Sequence, residues 1–369
     1  MGLLHGMMLL LTVLLRPAAI WADDTPIPRL AEWEANMTTY GKQHCAKLAP
    51  KTADWATQAE SIYYDGERVF YQIALYTNDP SWKDCAARAE AIYRDGYVLP
   101  HQGGAAGFNN FSGGLMMDYH LTQDATSQRA VTLLAQNAAF AKDGTPLNWT
   151  ADAFYSREVA YVIMAYLNAE AVGEPRRPRL TDMINQALDH IDQWFGRKSA
   201  SFVRPFMVGI TMQALIQAHA ATGDPRIPPA IKTALDGLWS LWDAGAQAFL
   251  YTNVDTSKFP QNAPGYNTGG RQPAPDLNLL VAPAFAWWYA RTGDVTYRDR
   301  GDQVFAGGVA NAKNWLYLGK QFDQNYWWSP LYVVWRKAAT PGRPLQALPP
   351  MSMTTMPNAA SASATPGTP

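Results

Sequence analysis

A short turn that recurs along the chain constrains the fold more than any other sequence feature. In Thr292-Gly293-Asp294 and Gly223-Asp224-Pro225, a glycine suited to the left-handed conformation ends one apolar segment, and an aspartate suited to N-capping begins the next. Asn78-Asp79-Pro80 is a third copy, and Gln123-Asp124 and Gly173-Glu174-Pro175 are weaker ones. The copies recur about every 50 residues, except for a last interval of 70 residues between positions 224 and 294. One such turn per period indicates two helices per repeat, as in helical solenoids and toroids.

The first segment of the chain, residues 1–22, is predicted to be a secretory signal. It is apolar from Leu9 to Leu15 and ends in Ala22, before Asp23 and Asp24. We therefore expect a secreted or periplasmic protein with no integral membrane segment after signal removal; an uncleaved anchor is the alternative. The net charge of −1 leaves no electrostatic footprint for nucleic acid or an anionic membrane.

Helical periodicity predicts a single all-α domain over residues 23–337. Residues 338–369 are rich in Pro, Ser, Thr, Ala and Met and are predicted to form a disordered tail. About twelve helices are predicted, at 29–48, 54–76, 81–93, 111–121, 127–140, 154–171, 180–195, 206–221, 227–242, 277–291, 297–311 and 326–337.

The order of these helices favours a closed ring. Five hairpins with one helix at each end match six hairpins if the last helix pairs with the N-terminal helix. Apolar segments such as 159–167, 277–289 and 326–335 suit an inner ring, and the more polar 127–140 and 227–242 suit an outer ring. An open solenoid is the alternative.

The six-fold period, the Tyr-x-x-Thr-Gly-Asp type of turn ending at Asp294 and the Trp- and Tyr-rich inner helices resemble the (α/α)6 toroid, or six-hairpin glycosidase, superfamily over roughly residues 29–337. That superfamily includes glycoside hydrolases and polysaccharide lyases. The resemblance therefore implies a toroid that acts on a carbohydrate. The adjacent Asp-Asp pair used by some bacterial α-mannanases of this fold is absent from the mature inner helices, which disfavours that family.

The segments that lead from one hairpin to the next are long and rich in aromatic, glycine and polar residues. They are predicted to gather at the end of the ring where the inner helices begin, which is where binding is expected. These connections are 94–110, 142–153, 197–205, 244–276 and 312–325.

Three carboxylates near this end are candidates for catalysis. Glu158 enters an otherwise apolar helix, where a charge is costly without a partner or a task; an inter-helix ion pair is the alternative. Asp65 lies one turn before Arg68, and capping with a solvated ion pair is its alternative. Asp276 stands where the fifth inner helix is predicted to begin, and could instead cap that helix.

Aromatic, amide and charged residues of the same segments suit stacking on sugar rings and hydrogen bonding to hydroxyl groups. A loop histidine is usually solvated, and an inner-ring tryptophan usually belongs to the core. The candidates for substrate binding are Arg68, His101, Asn109, Trp149, Tyr155, Tyr266, Arg271, Asn278, Gln321, Asn325, Tyr326 and Trp327.

The leading functional hypothesis is a glycoside hydrolase that uses two carboxylates. Glu158 would be the proton donor, because apolar surroundings raise a carboxyl pKa, and Asp65 or Asp276 would be the base. The alternatives are a non-catalytic glycan-binding protein and a polysaccharide lyase. A lyase needs a Tyr or His base and a group that neutralises a uronate carboxylate, for which His101, Tyr155, Arg157, Tyr266, Arg271 and Asn325 are candidates.

Cys45 and Cys85 are the only cysteines, and in an exported protein they are predicted to form a disulfide between the N-terminal helix and the first hairpin. Nucleotide-binding glycine motifs and metal-ligand spacings are absent from the sequence, so neither a cofactor nor an obligatory metal is predicted. The protein is expected to be a monomer.

Overall fold

The computed structural model describes residues 25–48, 55–263, 265–267 and 269–342, so the predicted signal segment and most of the predicted tail lie outside the described residues. The described part is all-α apart from one short antiparallel pair, β1 (Trp242–Asp243) and β2 (Ala248–Phe249). The helices are α1 (Leu30–Lys47), α2 (Trp55–Glu60), α3 (Gly66–Thr77), α4 (Trp82–Glu90), α5 (Gly113–Thr122), α6 (Ala125–Asn137), α7 (Ser156–Ala171), α8 (Arg179–Ile191), α9 (Pro205–Thr222), α10 (Ile227–Trp239), α11 (Ala282–Thr292), α12 (Val295–Ala312), α13 (Gly319–Tyr326) and α14 (Ser329–Ala338).

The recurring turns have the predicted chemistry. Gly223 and Gly293 take φ values of 69° and 71° and end α9 and α11. Asp224 and Asp294 follow these glycines and accept hydrogen bonds from the backbone N–H groups two residues ahead, at 3.0 and 2.9 Å. The turn therefore joins the two helices of a hairpin in the same way at distant points of the chain.

One predicted helix is broken, and the last one begins elsewhere than predicted. The segment 54–76 divides into α2 and α3, because Tyr64 and Asp65 adopt positive φ values of 68° and 62° between them. The predicted connection 312–325 is partly helical, since α13 begins at Gly319 and precedes α14. The predicted final helix 326–337 is therefore wrong at its beginning.

The first helices of the hairpins contact one another in sequence. Helix α3 packs on α5, α5 on α7, α7 on α9, α9 on α11 and α11 on α14, while α13 contacts α3. Their second helices pack behind them, as α4 does on α3 and α12 on α11. The first helices are accordingly the more buried set, and every residue of α9 from Pro205 to Ile216 is buried.

Helix α1 packs against the C-terminal helices. The indole Nε1 of Trp33 donates to Ser329 Oγ at 3.1 Å, and the hydroxyl of Tyr326 donates to the backbone oxygen of Trp33 at 2.8 Å. A disulfide joins Cys45 of α1 to Cys85 of α4, with the two Cα atoms 5.2 Å apart. The predicted disulfide is confirmed, and α1 is held between the last and the first helices.

A buried ion pair ties α14 to α12. The Nε and Nη2 atoms of Arg336 lie 3.0 and 3.1 Å from the two carboxylate oxygens of Asp302, and the Tyr332 hydroxyl donates to the same carboxylate. The Arg336 side chain is only 1% exposed. Asp302 therefore places a carboxylate against the buried guanidinium.

None of the helices in the described ranges combines the length and the apolar character that crossing a membrane requires.

Candidate functional site

The beginnings of four inner helices meet at one end of the fold. Asp65, before α3, contacts the start of α5, where the backbone N–H of Gly114 donates to its carboxylate at 3.1 Å. Arg157, in the first turn of α7, places Nη1 3.5 Å from the Tyr63 hydroxyl. Arg204, before α9, lies over the ring of Phe154, before α7. The long connections thus converge with these first turns.

Glu158 is paired with its neighbour Arg157. The guanidinium Nη2 and Nε atoms lie 2.7 and 3.2 Å from Glu158 Oε1, although adjacent positions on a helix ordinarily point in different directions. Burial disfavours the charged guanidinium, but Glu158, Tyr63 and Tyr161 together outweigh it and raise the pKa of Arg157. Glu158 therefore has an ion-pair partner rather than the purely apolar surroundings that the sequence suggested.

An aromatic wall adjoins this ion pair. The rings of Tyr63 and Tyr64 are 4.8 Å apart, and Trp327 lies 5.8 Å from Tyr64 and 5.9 Å from Tyr161. Burial raises the pKa of Tyr63, although Arg157 opposes that shift. The Tyr63 phenol is therefore neutral near pH 7, and Trp327 lies with the aromatic residues as predicted, although it is only 2% exposed.

Asp276 lies close enough to the tyrosine pair to affect it. It acts electrostatically on Tyr64, as Glu158 does on Tyr63. Burial raises the pKa of the Asp276 carboxyl, and a hydrogen bond from Gln324 opposes the shift. Asp276 lies in a 3-10 turn, Pro275–Leu280, that precedes α11, so it does not cap that helix. A carboxyl with a raised pKa is suited to donate a proton.

Asp65 belongs to the packing between α3 and α5. Its carboxylate caps α3 by accepting from the backbone N–H of Arg68 at 3.4 Å, and it also accepts from Gly114. A Cβ atom on Gly113 would lie 2.7 Å from its Oδ2 atom, so α5 begins directly against it. Burial raises the pKa of Asp65, and Arg68 opposes the shift. These contacts support the capping alternative and correct the prediction of Asp65 as a base.

Several predicted binding residues are instead occupied by structural contacts. Asn278 donates to the backbone oxygens of Gln247 and Val304, at 2.9 and 3.3 Å. Tyr326 faces Trp33 of α1 rather than the aromatic wall. The Asn325 amide donates to the oxygen of Gln321 in its own helix at 2.7 Å. These residues hold elements together, which corrects their predicted role in sugar binding.

Two more candidates are buried in the packing. Arg68 lies with its guanidinium 4.4 Å from the Trp328 ring centre, and burial lowers its pKa to about 10. Asn109 is 5% exposed, and its backbone oxygen accepts from the Tyr93 hydroxyl at 2.5 Å. Neither side chain is open to a sugar in this conformation.

The other predicted binding residues lie at or near the surface. Trp149 is 59% exposed, the largest exposed fraction of a large apolar side chain among the described residues. His101 is exposed and its Nδ1 atom lies 2.7 Å from the Tyr97 oxygen. Exposed Arg271 and the partly exposed Tyr155, Tyr266 and Gln321 remain available to a ligand.

The sequence interpretation missed Arg204 and Tyr251. The Arg204 side chain is packed between Phe202 and Phe154, whose ring centres are 5.0 and 5.8 Å from its guanidinium carbon. Tyr251 follows β2 in the connection 244–276, packs on Phe206 and acts electrostatically on Arg204. Arg204 could have been found by the argument used for Glu158, since it is a charged residue at the beginning of an apolar inner helix.

One acidic cluster has the spacing of a metal site. Carboxylate oxygens of Glu90, Asp118 and Asp124 lie within 4.8 Å of one another. The Arg94 guanidinium already lies among them, in contact with Glu90 and 2.8 Å from Asp124, while Ser127 donates to Asp118 at 2.7 Å. The arginine supplies the positive charge there, so this cluster fits a structural ion-pair network.

No protein-family model matches the sequence, and a search of curated proteins finds no significant match.

Proposed function

We propose that the protein is an exported carbohydrate-active enzyme built on a closed (α/α)6 ring. The sequence of contacts from α3 through α14, with α13 on α3 and α1 against Ser329, supports the closed ring. The disulfide between Cys45 and Cys85 supports export, because disulfides persist in oxidising compartments. The substrate is a polysaccharide or oligosaccharide bound where the inner helices begin.

The observation that carries the proposal is the unequal environment of Glu158 and Asp276 around one aromatic pair. Glu158 is paired with Arg157 at 2.7 Å, whereas burial raises the pKa of Asp276. Two carboxyl groups in unlike environments are the acid and base pattern of glycoside hydrolysis.

In the proposed hydrolysis, Asp276 gives its proton to the glycosidic oxygen as the bond to the anomeric carbon breaks. Charged Glu158 assists the incoming water or attacks the anomeric carbon itself. These roles reverse the sequence-based assignment, in which Glu158 was the donor. The partly exposed Tyr155 and Tyr266 would stack on the sugar rings.

The test is product analysis on a panel of polysaccharides, followed by single substitutions. We expect new reducing ends, and a fall in turnover of about 10²-fold or more for both Asp276→Asn and Glu158→Gln. Asp255→Asn is the matched control, since Asp255 is an exposed aspartate of the same connection with a salt-bridge partner at 3.7 Å. Normal turnover in both site variants would refute these roles.

Polysaccharide lyase activity is the second candidate, and the contact between Arg157 and the Tyr63 hydroxyl favours it. A cation beside a phenol stabilises the phenolate that would remove a proton next to a uronate carboxylate. Burial works against this phenolate by raising the Tyr63 pKa. An unsaturated product seen by ultraviolet absorbance, and lost in Tyr63→Phe, would identify the lyase. Glycan binding without any cleavage would instead indicate a non-catalytic glycan-binding protein.

A further inference from the structure

Arg204 is a buried cation whose hydrogen-bonding groups are poorly used. Arg204 is only 6% exposed, and its Nε atom has no hydrogen-bond partner in the described part of the chain. Its one polar contact is from Nη1 to the weak acceptor Sδ of Met207 at 3.7 Å. A buried guanidinium without a carboxylate partner is costly, and an anionic ligand would supply the missing acceptor.

The charges around Arg204 do not balance. Within the described ranges, the ionisable groups that act on it are Tyr251, Arg157 and Glu158. Glu158 is already paired with Arg157 at 2.7 Å. Two cations and one anion leave a single positive charge, which one carboxylate or sulfate group would neutralise.

The surroundings of Arg204 form a narrow recess beside the proposed cleft. Phe154, Phe202 and Met207 line it, and Asp152 and Ser201 contribute to its lining. The Asp152 carboxylate is engaged in a hydrogen bond from the backbone N–H of Phe154 at 2.8 Å, and it is not among the groups that act on Arg204. Aromatic walls and a forked cation suit an anionic substituent of a sugar.

We propose that Arg204, supported by Arg157, binds the carboxylate or sulfate group of an acidic sugar in the substrate. This inference rests on the proposed function and gives its substrate class: an anionic glycan. The forked guanidinium provides two parallel N–H donors. A carboxylate or sulfate group can accept both hydrogen bonds, whereas a neutral hydroxymethyl group at the same position cannot.

The test compares acidic oligosaccharides with neutral counterparts of the same linkage. Isothermal titration calorimetry would use uronate oligosaccharides with their carboxyl-reduced forms, and sulfated galactan oligosaccharides with their desulfated forms. For the wild-type protein we expect at least one acidic ligand to bind about 10- to 100-fold more tightly than its neutral form. The pair that shows the preference identifies the carboxylate or the sulfate.

The variants assign this preference to Arg204. Arg204→Gln should bring the ratio of acidic to neutral affinity to about one. Arg204→Lys should reduce this ratio by about threefold or more, because lysine keeps the charge but lacks the bidentate fork. Lys258→Gln, which removes an exposed charge from the connection 244–276, should leave the ratio unchanged. Should Arg204→Gln not fold by circular dichroism, the lysine variant decides the question.

The outcomes separate this inference from the proposed function. Equal affinity of the wild-type protein for acidic and neutral forms overturns the anion site, as does an unchanged ratio in a folded Arg204 variant. Cleavage restricted to neutral glycans refutes the anion site and leaves the enzyme proposal standing. Selective binding of acidic oligosaccharides without cleavage supports the anion site and refutes the enzyme proposal.

Discussion

Replacing Asp302 by Asn should destabilise the protein strongly, because it removes the buried carboxylate that Arg336 contacts through two guanidinium nitrogens. The Arg336 side chain is 1% exposed and makes two contacts of 3.0 and 3.1 Å to that carboxylate. Breaking a buried pair by removing one partner costs about 3–5 kcal/mol. For a domain of this size the cost corresponds to a fall in melting temperature of roughly 6–10 °C, at about 2 °C per kcal/mol.

The assay is thermal and urea unfolding followed by circular dichroism. Asp299→Asn is the matched control in the same helix, since its side chain is 57% exposed, and the change should be within about 0.5 kcal/mol. The double variant Asp302→Leu, Arg336→Met should recover much of the loss, because a well-packed apolar pair removes both charges. A melting temperature of Asp302→Asn within 2 °C of wild type, or a double variant less stable than the single one, would refute the reasoning.

Three further predictions concern other parts of the fold. Reduction of the Cys45–Cys85 bond, which closes a separation of 40 residues, should cost about 4 kcal/mol in the chain-entropy account; unchanged unfolding in reductant would contradict this. Gly114→Ala places a Cβ 2.7 Å from the Arg68 nitrogen and should cost about 1–3 kcal/mol in urea unfolding, whereas Gly144→Ala, with open space around it, should be neutral. Burial raises the pKa of Asp323 to about 6, above its unfolded value of about 3.9, so its contribution to stability is complete below pH 4 and is lost as the pH rises through about 6. Asp323→Asn should therefore flatten the fall in stability between those pH values, and an unchanged pH profile would count against the shift.

Local sequence chemistry was sufficient to predict the hairpins. A Gly or Asn in the left-handed conformation followed by a capping Asp acts within a few residues, and this is why the turns at Asp224 and Asp294 could be read directly. The break at Tyr64 and Asp65 could not, because the positive φ of Asp65 depends on hydrogen bonds from Gly114, 49 residues away. Helical periodicity alone predicts one continuous helix over 54–76, across this break.

The meeting of inner-helix beginnings could be predicted from the sequence, whereas the contacts of individual side chains could not. Residues at the beginnings of inner helices were expected to converge, and Tyr63, Arg157 and Arg204 do so. Side-chain direction was not predictable, since Arg157 turns back onto its neighbour Glu158. Which face of an aromatic helix meets the cleft was also hidden, because Tyr326 and Trp327 are adjacent and point to different neighbours.

The packing of α1 against α13 and α14 has a consequence for the order of folding. Trp33 and Tyr326 are 293 residues apart, so this contact cannot form until nearly all of the domain has been synthesised. Closing that loop costs about 2 kcal/mol more conformational entropy than closing the 40-residue separation between Cys45 and Cys85. The disulfide holds α1 against α4 in the meantime, so the last step joins two preassembled surfaces rather than recruiting a free helix. A chain that ends before Gly319 would remove Tyr326 and Ser329 from the Trp33 indole and would be prone to aggregate.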